Sequence, residues 1–172
     1  MHITNIDNGE IKLLGLDHIN DETGIKKRIA VYFSRTGNTE KIAEYLIDLT
    51  GADSYVIQAA VPYTDEDIEY NNSSCRANQE QNDKTVRPEI AEPISSLDSY
   101  DTVFLGYPIW WGQEPRIIDT FLESYDFSDK TVIPFCTSAS SGISTSEKKY
   151  FRACAHRRSA CRETLLGKCR KE

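Results

Sequence analysis

Residues 28–51, RIAVYFSRTGNTEKIAEYLIDLTG, pass from an apolar run through a polar turn into a helical pattern, and this succession narrows the architecture more than any other stretch. RIAVYFS is short, apolar and partly β-branched, as a buried strand requires. NTEKIAEYLIDLTG sets Ile42, Leu46 and Leu49 on one helical face, with Asn38 or Thr39 placed to cap its start and Gly51 to end it. Strand, tight turn and helix make the opening half of a βαβ unit.

The same alternation recurs downstream. SYVIQA reads as a second strand, and residues 61–93 are polar, acidic and interrupted by Pro62, Pro88 and Pro93, with one helix expected around 73–82. DTVFLGYPIW is the next strand. EPRIIDTFLESYD follows as a helix, with Pro115 in its first turn and an apolar stripe of Ile117, Ile118, Phe121, Leu122 and Tyr125. KTVIPFCTS reads as a further strand, although Pro134 cannot donate to a ladder. A helix from about Ser144 to Cys154 and a short strand in ETLLGKC would close the pattern. Strands alternating with helices imply an α/β domain over residues 26–172, its parallel sheet covered on both faces. Residues 1–25, polar and weakly periodic, read as an N-terminal extension or a small ornament.

At 172 residues the chain can bury a core without disulfides, and its five cysteines show no framework spacing, so free thiols are expected. No apolar run approaches a membrane span, and the start lacks a secretion-signal pattern, which makes the cytoplasm the expected compartment. The net charge of −7 is unevenly spread. From Lys148 onward nine Lys and Arg face two Glu, leaving 11 basic against 25 acidic side chains before it. So acidic a body argues against nucleic acid and suits either a basic partner or simple solvation. The basic tail has no aromatic after Phe151 and no clear amphipathic period, which speaks against an RNA or membrane contact.

Ligands of open parallel sheets bind beyond the carboxyl ends of the strands. Three turns lie there. In the first, Ser34, Arg35, Thr36, Gly37, Asn38 and Thr39 join a strand to a helix start, where unpaired N–H groups, hydroxyls and a glycine can hold a phosphate without a lysine. A capped helix after a polar turn is the alternative. No G-x-x-x-x-G-K-[ST], no G-x-G-x-x-G and no Cys followed six places on by Arg occurs in the chain. The second turn carries Pro108, Ile109, Trp110, Trp111 and Gly112, whose tryptophans offer a flat wall for a ring system, one packing inward and the other facing the site. The third, with Thr137, Ser138, Ser140, Ser141 and Gly142, is small and hydroxyl-rich, suited to hydrogen-bonding a heterocycle or to forming a flexible loop. No metal site and no catalytic acid–base group is singled out.

SRTGNT matches the pattern [S/T]-x-T-G-x-T, and RPEI, YDTVFLGYPIWWG and FLESYDFSDKTVIPFCT recur in order with it, so residues 27–146 resemble the flavodoxins, in particular the group with a GYPIWW loop. The resemblance implies a three-layer fold with strand order 2-1-3-4-5. It implies FMN as cofactor, its phosphate on residues 34–39 and its ring between the loops at 108–112 and 137–143, with Arg35 at the variable position of the first loop. Trp111-Gly112 resembles the family's Trp-Gly step, whose peptide carbonyl can turn toward the flavin N5. Two departures stand out: TSASSGIS lacks the tyrosine that many flavodoxins stack on the ring, and the match fades beyond Ser146, leaving the C-terminal part atypical or incomplete.

The resemblance implies an electron-transfer flavoprotein working with an unidentified redox partner protein or small redox substrate. An FMN-dependent NAD(P)H:quinone-type oxidoreductase using the open ring face is one alternative. A non-redox interaction module on the same fold is another. A phosphoryl-accepting regulator is excluded, because the turns that would carry its acidic residues read SRTGNT and GYPIWW.

Overall fold

A computed structural model describes residues 2–7, 10–14 and 27–139. His2–Asp7 (β1) and Glu10–Leu14 (β2) pair antiparallel as a two-stranded sheet of their own. The hairpin sits where the sequence offered no clear period.

The main sheet is parallel. Its strands are Arg28–Tyr32 (β3), Asp53–Val56 (β4), Thr102–Pro108 (β5) and Thr131–Thr137 (β6), in the spatial order β4-β3-β5-β6. That is the expected order 2-1-3-4; the fifth strand, and the helix expected at 144–154, fall outside the described residues. Side chains alternate across it as the pleat dictates. Ala30, Tyr32, Phe104 and Phe135 turn to one face and meet Ala43 and Leu46 of Asn38–Thr50 (α1). Ile29, Val31, Val103, Leu105 and Tyr107 turn to the other, where Arg116–Ser124 (α3) buries Ile117, Ile118, Phe121 and Leu122. Each of these last four contributes about 1.5–3 kcal/mol of burial, which is why the stripe forms a helix against the sheet.

Gly106 lies opposite Phe135 on the α1 face. A Cβ there would come within 2.2 Å of the ring, so only glycine lets the phenyl cross the sheet surface at this point. Pro134 is accommodated because the odd-numbered residues of β6 carry the bonds to β5, as Thr131 N–H to Asp101 O and Ile109 N–H to Thr137 O show. Its missing N–H therefore faces away from β5.

Several sequence expectations are corrected. The buried stripe of α1 is Thr39, Ala43 and Leu46; Leu49 is 54 % exposed, because the face that meets the sheet centres on small residues about 80° away from it. Neither Asn38 nor Thr39 caps α1. Gly37 does so, with φ 81° and no side-chain bond, while Gly51 ends the helix in the left-handed region as expected. Pro115 precedes α3 as its cap residue rather than lying in its first turn. The helix expected at 73–82 is Arg76–Asn82 (α2), preceded by a 3₁₀ turn at Glu66–Ile68. Cys75 and Cys136 are free thiols.

Candidate functional site

The turn after β3 is built around Gly37, whose carbonyl accepts from Lys41 N–H at 3.1 Å as the helix begins. Ser34 Oγ accepts the Glu40 N–H at 3.3 Å, and Asn38 Nδ2 donates to Thr36 Oγ1 at 3.4 Å. The N–H groups of residues 35–39 find no acceptor among the described residues. They crown a helix of three and a half turns, so the turn concentrates donors and positive dipole at one point. Thr39, 1 % exposed, shares a 2.8 Å hydroxyl bond with Thr137 and so ties the start of α1 to the end of β6.

Arg35 reaches sideways. Its Nε donates to Tyr63 O at 2.5 Å and its guanidinium pairs with Asp65 at 2.6 Å. The arginine thereby pins residues 63–65 beside the first turn. Thr64 and Asp67 exchange backbone-to-side-chain bonds in the same segment, and hydrogen bonds from its own N–H and from Thr64 hold the Glu66 carboxyl below its ordinary range. Asp65, Glu66, Asp67 and Glu69 make this rim acidic.

The loop after β5 closes at once. Trp110 and Gln113 exchange both backbone bonds, at 2.8 and 3.0 Å, around Trp111 and Gly112 at φ 45° and 78°. Two successive positive φ values suit a type I′ turn, and they cost a tryptophan about 1–2 kcal/mol of backbone strain. Trp110 packs inward, edge-on to Phe33 at 5.5 Å and to Tyr63 at 5.1 Å. Trp111 instead lies flat against Tyr70, with ring centroids 4.9 Å apart and planes within 8°. With the Asn78 amide turned so that its oxygen faces the loop, the orientation that satisfies both of its ends, Trp111 Nε1 donates to that oxygen at 2.9 Å. The expected division of labour within the pair is thus present on its packing side. Ile109 N–H donates to Thr137 O, which sets this loop against the third turn. Thr137 and Ser138 are half-buried there, whereas Ser140, Ser141 and Gly142 lie outside the described residues.

Sequence reasoning missed the buried polar brace beneath the tryptophan loop. Arg116, 1 % exposed, donates to Glu80 O at 3.1 Å, Gln81 O at 2.8 Å and Gln113 Oε1 at 3.2 Å, and pairs with Asp119 at 3.2 Å. Gln81 Nε2 donates to Glu114 O at 2.9 Å. Glu80 accepts from Tyr63 Oη at 2.6 Å and from Arg76 Nε at 2.8 Å, while Arg76 lies over the Tyr63 ring at 4.1 Å. Burial, reinforced by the hydrogen bond to Glu80, pushes the Tyr63 phenol well above its ordinary pKa. The signal was available as Arg and Asp three apart around the apolar pair of PRIID, but it reads equally as a solvated helix edge.

These turns lie together at the carboxyl end of one parallel sheet, and the family model described as Flavodoxin matches residues 27–168. The chain belongs to the flavodoxin family. The match runs past Ser146, where the resemblance read from the sequence fades. A crystal structure from Bacteroides uniformis ATCC 8492, provisionally described as a flavoprotein, is 42 % identical over 74 % of this chain and 81 % of its own, with a TM-score of 0.72. A second such protein, from Bacteroides eggerthii DSM 20697, is 43 % identical over 74 % of this flavodoxin and 80 % of its own chain, again with a TM-score of 0.72. A Lactobacillus acidophilus NCFM flavoprotein crystallised in complex with FMN shares the fold at 23 % identity and a TM-score of 0.58, over 76 % of this chain and 87 % of its own. No protein of curated function matches this flavodoxin. No helix among the described residues is long and apolar enough to cross a membrane, and no cluster of three metal-ligating side chains occurs among them.

Proposed function

We propose that this flavodoxin binds FMN and carries electrons between a donor and an acceptor. The observation that carries the reading is the set of N–H groups over residues 35–39 that find no acceptor among the described residues, with the Ser34, Thr36 and Thr39 hydroxyls around them, at the start of α1. A dianionic phosphate monoester fits that chemistry: it accepts many hydrogen bonds, and the helix dipole favours its charge. The FMN complex of the Lactobacillus flavoprotein and the flavoprotein descriptions of the Bacteroides relatives support the same choice.

On this reading residues 34–39 hold the phosphate, while residues 108–112 with Thr137, Ser138 and the following Ser140, Ser141 and Gly142 border the ring. FMN, when bound, supplies the redox chemistry. The chain orients it, shields one side of it and tunes it. Asp65, Glu66, Asp67 and Glu69 on the rim disfavour added negative charge at the ring and so lower its potential. A stand-alone NAD(P)H:quinone-type reductase rests on the absence of an aromatic from residues 137–143, and oxidation of NAD(P)H without a partner protein separates it from a carrier.

The test is to mix the protein with FMN, pass it through gel filtration and record flavin absorption and emission. Co-eluting flavin with quenched emission is the expected result. A folded sample that retains no flavin refutes the proposal.

A further inference from the structure

Arg35 divides its two ends between two parts of the site. Its backbone N–H belongs to the donors over residues 35–39, while its side chain, 30 % exposed, donates to Tyr63 O at 2.5 Å and pairs with Asp65 at 2.6 Å. Tyr63 is buried, and its ring meets Phe33 at 5.7 Å and Trp110 at 5.1 Å, both edge-on. The phenol end of Tyr63 is fixed separately, by the 2.6 Å bond to Glu80 and by the Arg76 guanidinium over one face at 4.1 Å. Arg35 therefore sets the backbone end of a residue whose ring supports Trp110. Trp110 in turn closes the loop at 108–112 through its two backbone bonds with Gln113. A cation that belongs by sequence to the first turn thus acts, through Tyr63, on the tryptophan loop.

We infer that the Arg35 side chain is a positioning residue for the flavin ring and makes no contact with the phosphate. This rests on the FMN reading and deepens it, because it splits the work of one residue: the backbone N–H serves the phosphate, the guanidinium serves the ring loop. To reach the phosphate the guanidinium would have to leave both Tyr63 O and Asp65, giving up two charge-assisted bonds. It would add its charge to a turn that already presents five N–H groups and a helix dipole to the anion. Keeping both bonds leaves residues 63–65 seated beside the turn. The ion pair itself adds little to the stability of the fold, since the Asp65 side chain is 89 % exposed. What the pair decides is where the Tyr63 backbone sits, and hence how firmly the ring of Trp110 is backed. Affinity for the ring accordingly depends on Arg35, and affinity for the phosphate does not.

Dissociation constants for FMN, for riboflavin, which lacks the phosphate, and for inorganic phosphate, read by its competition with FMN, separate the two roles in the wild type, Arg35→Gln and Asp65→Asn. Arg35→Gln should raise the Kd for FMN and for riboflavin by the same factor, about fivefold, the scale of one charged hydrogen bond, and leave the Kd for phosphate unchanged. Asp65→Asn, which keeps the bond to Tyr63 O, should show the same pattern at about twofold. A general loosening of the fold would weaken phosphate as well, and thermal unfolding verifies that the midpoints stay together. A higher Kd for phosphate in Arg35→Gln makes the guanidinium a phosphate ligand and overturns the inference, whatever happens to riboflavin. An unchanged Kd for FMN in Arg35→Gln overturns it too, with the FMN reading intact. Where the wild type holds FMN but no riboflavin, the FMN and phosphate constants decide on the same terms. A wild type that binds no FMN refutes the FMN reading and this inference with it.

Discussion

Replacing Arg116 by methionine keeps most of the side chain's length and volume and removes its charge and donors. Two backbone carbonyls at the end of α2, the Gln113 amide oxygen and Asp119 then lose the guanidinium, and Asp119 is itself only 2 % exposed. Removing one partner of a buried ion pair costs about 3–5 kcal/mol, mostly because the other charge is left in a medium that solvates it poorly. Lost carbonyl bonds add to this in principle, yet such terms are not additive, so about 4 kcal/mol is the expected loss. With a urea slope of about 2 kcal/mol/M, the midpoint should fall by about 2 M. Urea unfolding followed by tryptophan emission reads this directly, since Trp110 and Trp111 both sit in the braced loop. A midpoint shift below about 0.5 M refutes the argument that the guanidinium is a buried latch. Arg116→Met combined with Asp119→Leu should recover at least half of the loss if the buried Asp119 charge dominates. A double variant no better than the single one transfers the energy to the carbonyls of α2.

Gly106→Ala drives a methyl into the tip of Phe135 and should cost about 2–3 kcal/mol, with Gly106→Ala/Phe135→Leu partly restoring the thermal midpoint; a neutral Gly106→Ala would mean that the ring swings aside freely. The raised pKa of Tyr63 sets the sign of an alkaline effect. The phenol stays protonated in the fold while the unfolded chain loses the proton near about pH 10, so its contribution is complete below that pH and declines as pH rises toward the folded value. Denaturation between pH 9 and 11.5 should therefore show a shallower decline for Tyr63→Phe than for the wild type, by up to about 1.4 kcal/mol per pH unit; parallel slopes would contradict the assignment.

The parts of the fold that the sequence disclosed are those in which one physical term dominates. The strands β3 and β5 are apolar over nearly their whole length because both faces of a parallel sheet are covered, and the α3 stripe repeats every three to four residues because one helix face meets that sheet. Where terms compete, sequence pattern and fold part company. Leu49 looked like core because it is large and three residues from Leu46, whereas the α1 face is set by how closely the helix approaches the sheet, which small Thr39 and Ala43 decide. The first turn was visible through its hydroxyls and glycine. The contributions of residues 63–82 were not, because the sideways reach of Arg35 to Tyr63, the Tyr70 stack and the Arg116 brace join positions 28 to 41 residues apart through side chains that look solvated in one dimension.

Trp111 also bears on how such a site persists over generations. Its strained backbone conformation costs about 1–2 kcal/mol, an amount comparable to what its stack on Tyr70 and its bond to Asn78 return. Selection acting on folding alone is thus nearly blind to this position, and a glycine would serve the turn as well. If Trp111 borders the ring as proposed, a lineage whose flavin went unused would drift there early, before any change in its melting temperature recorded the loss.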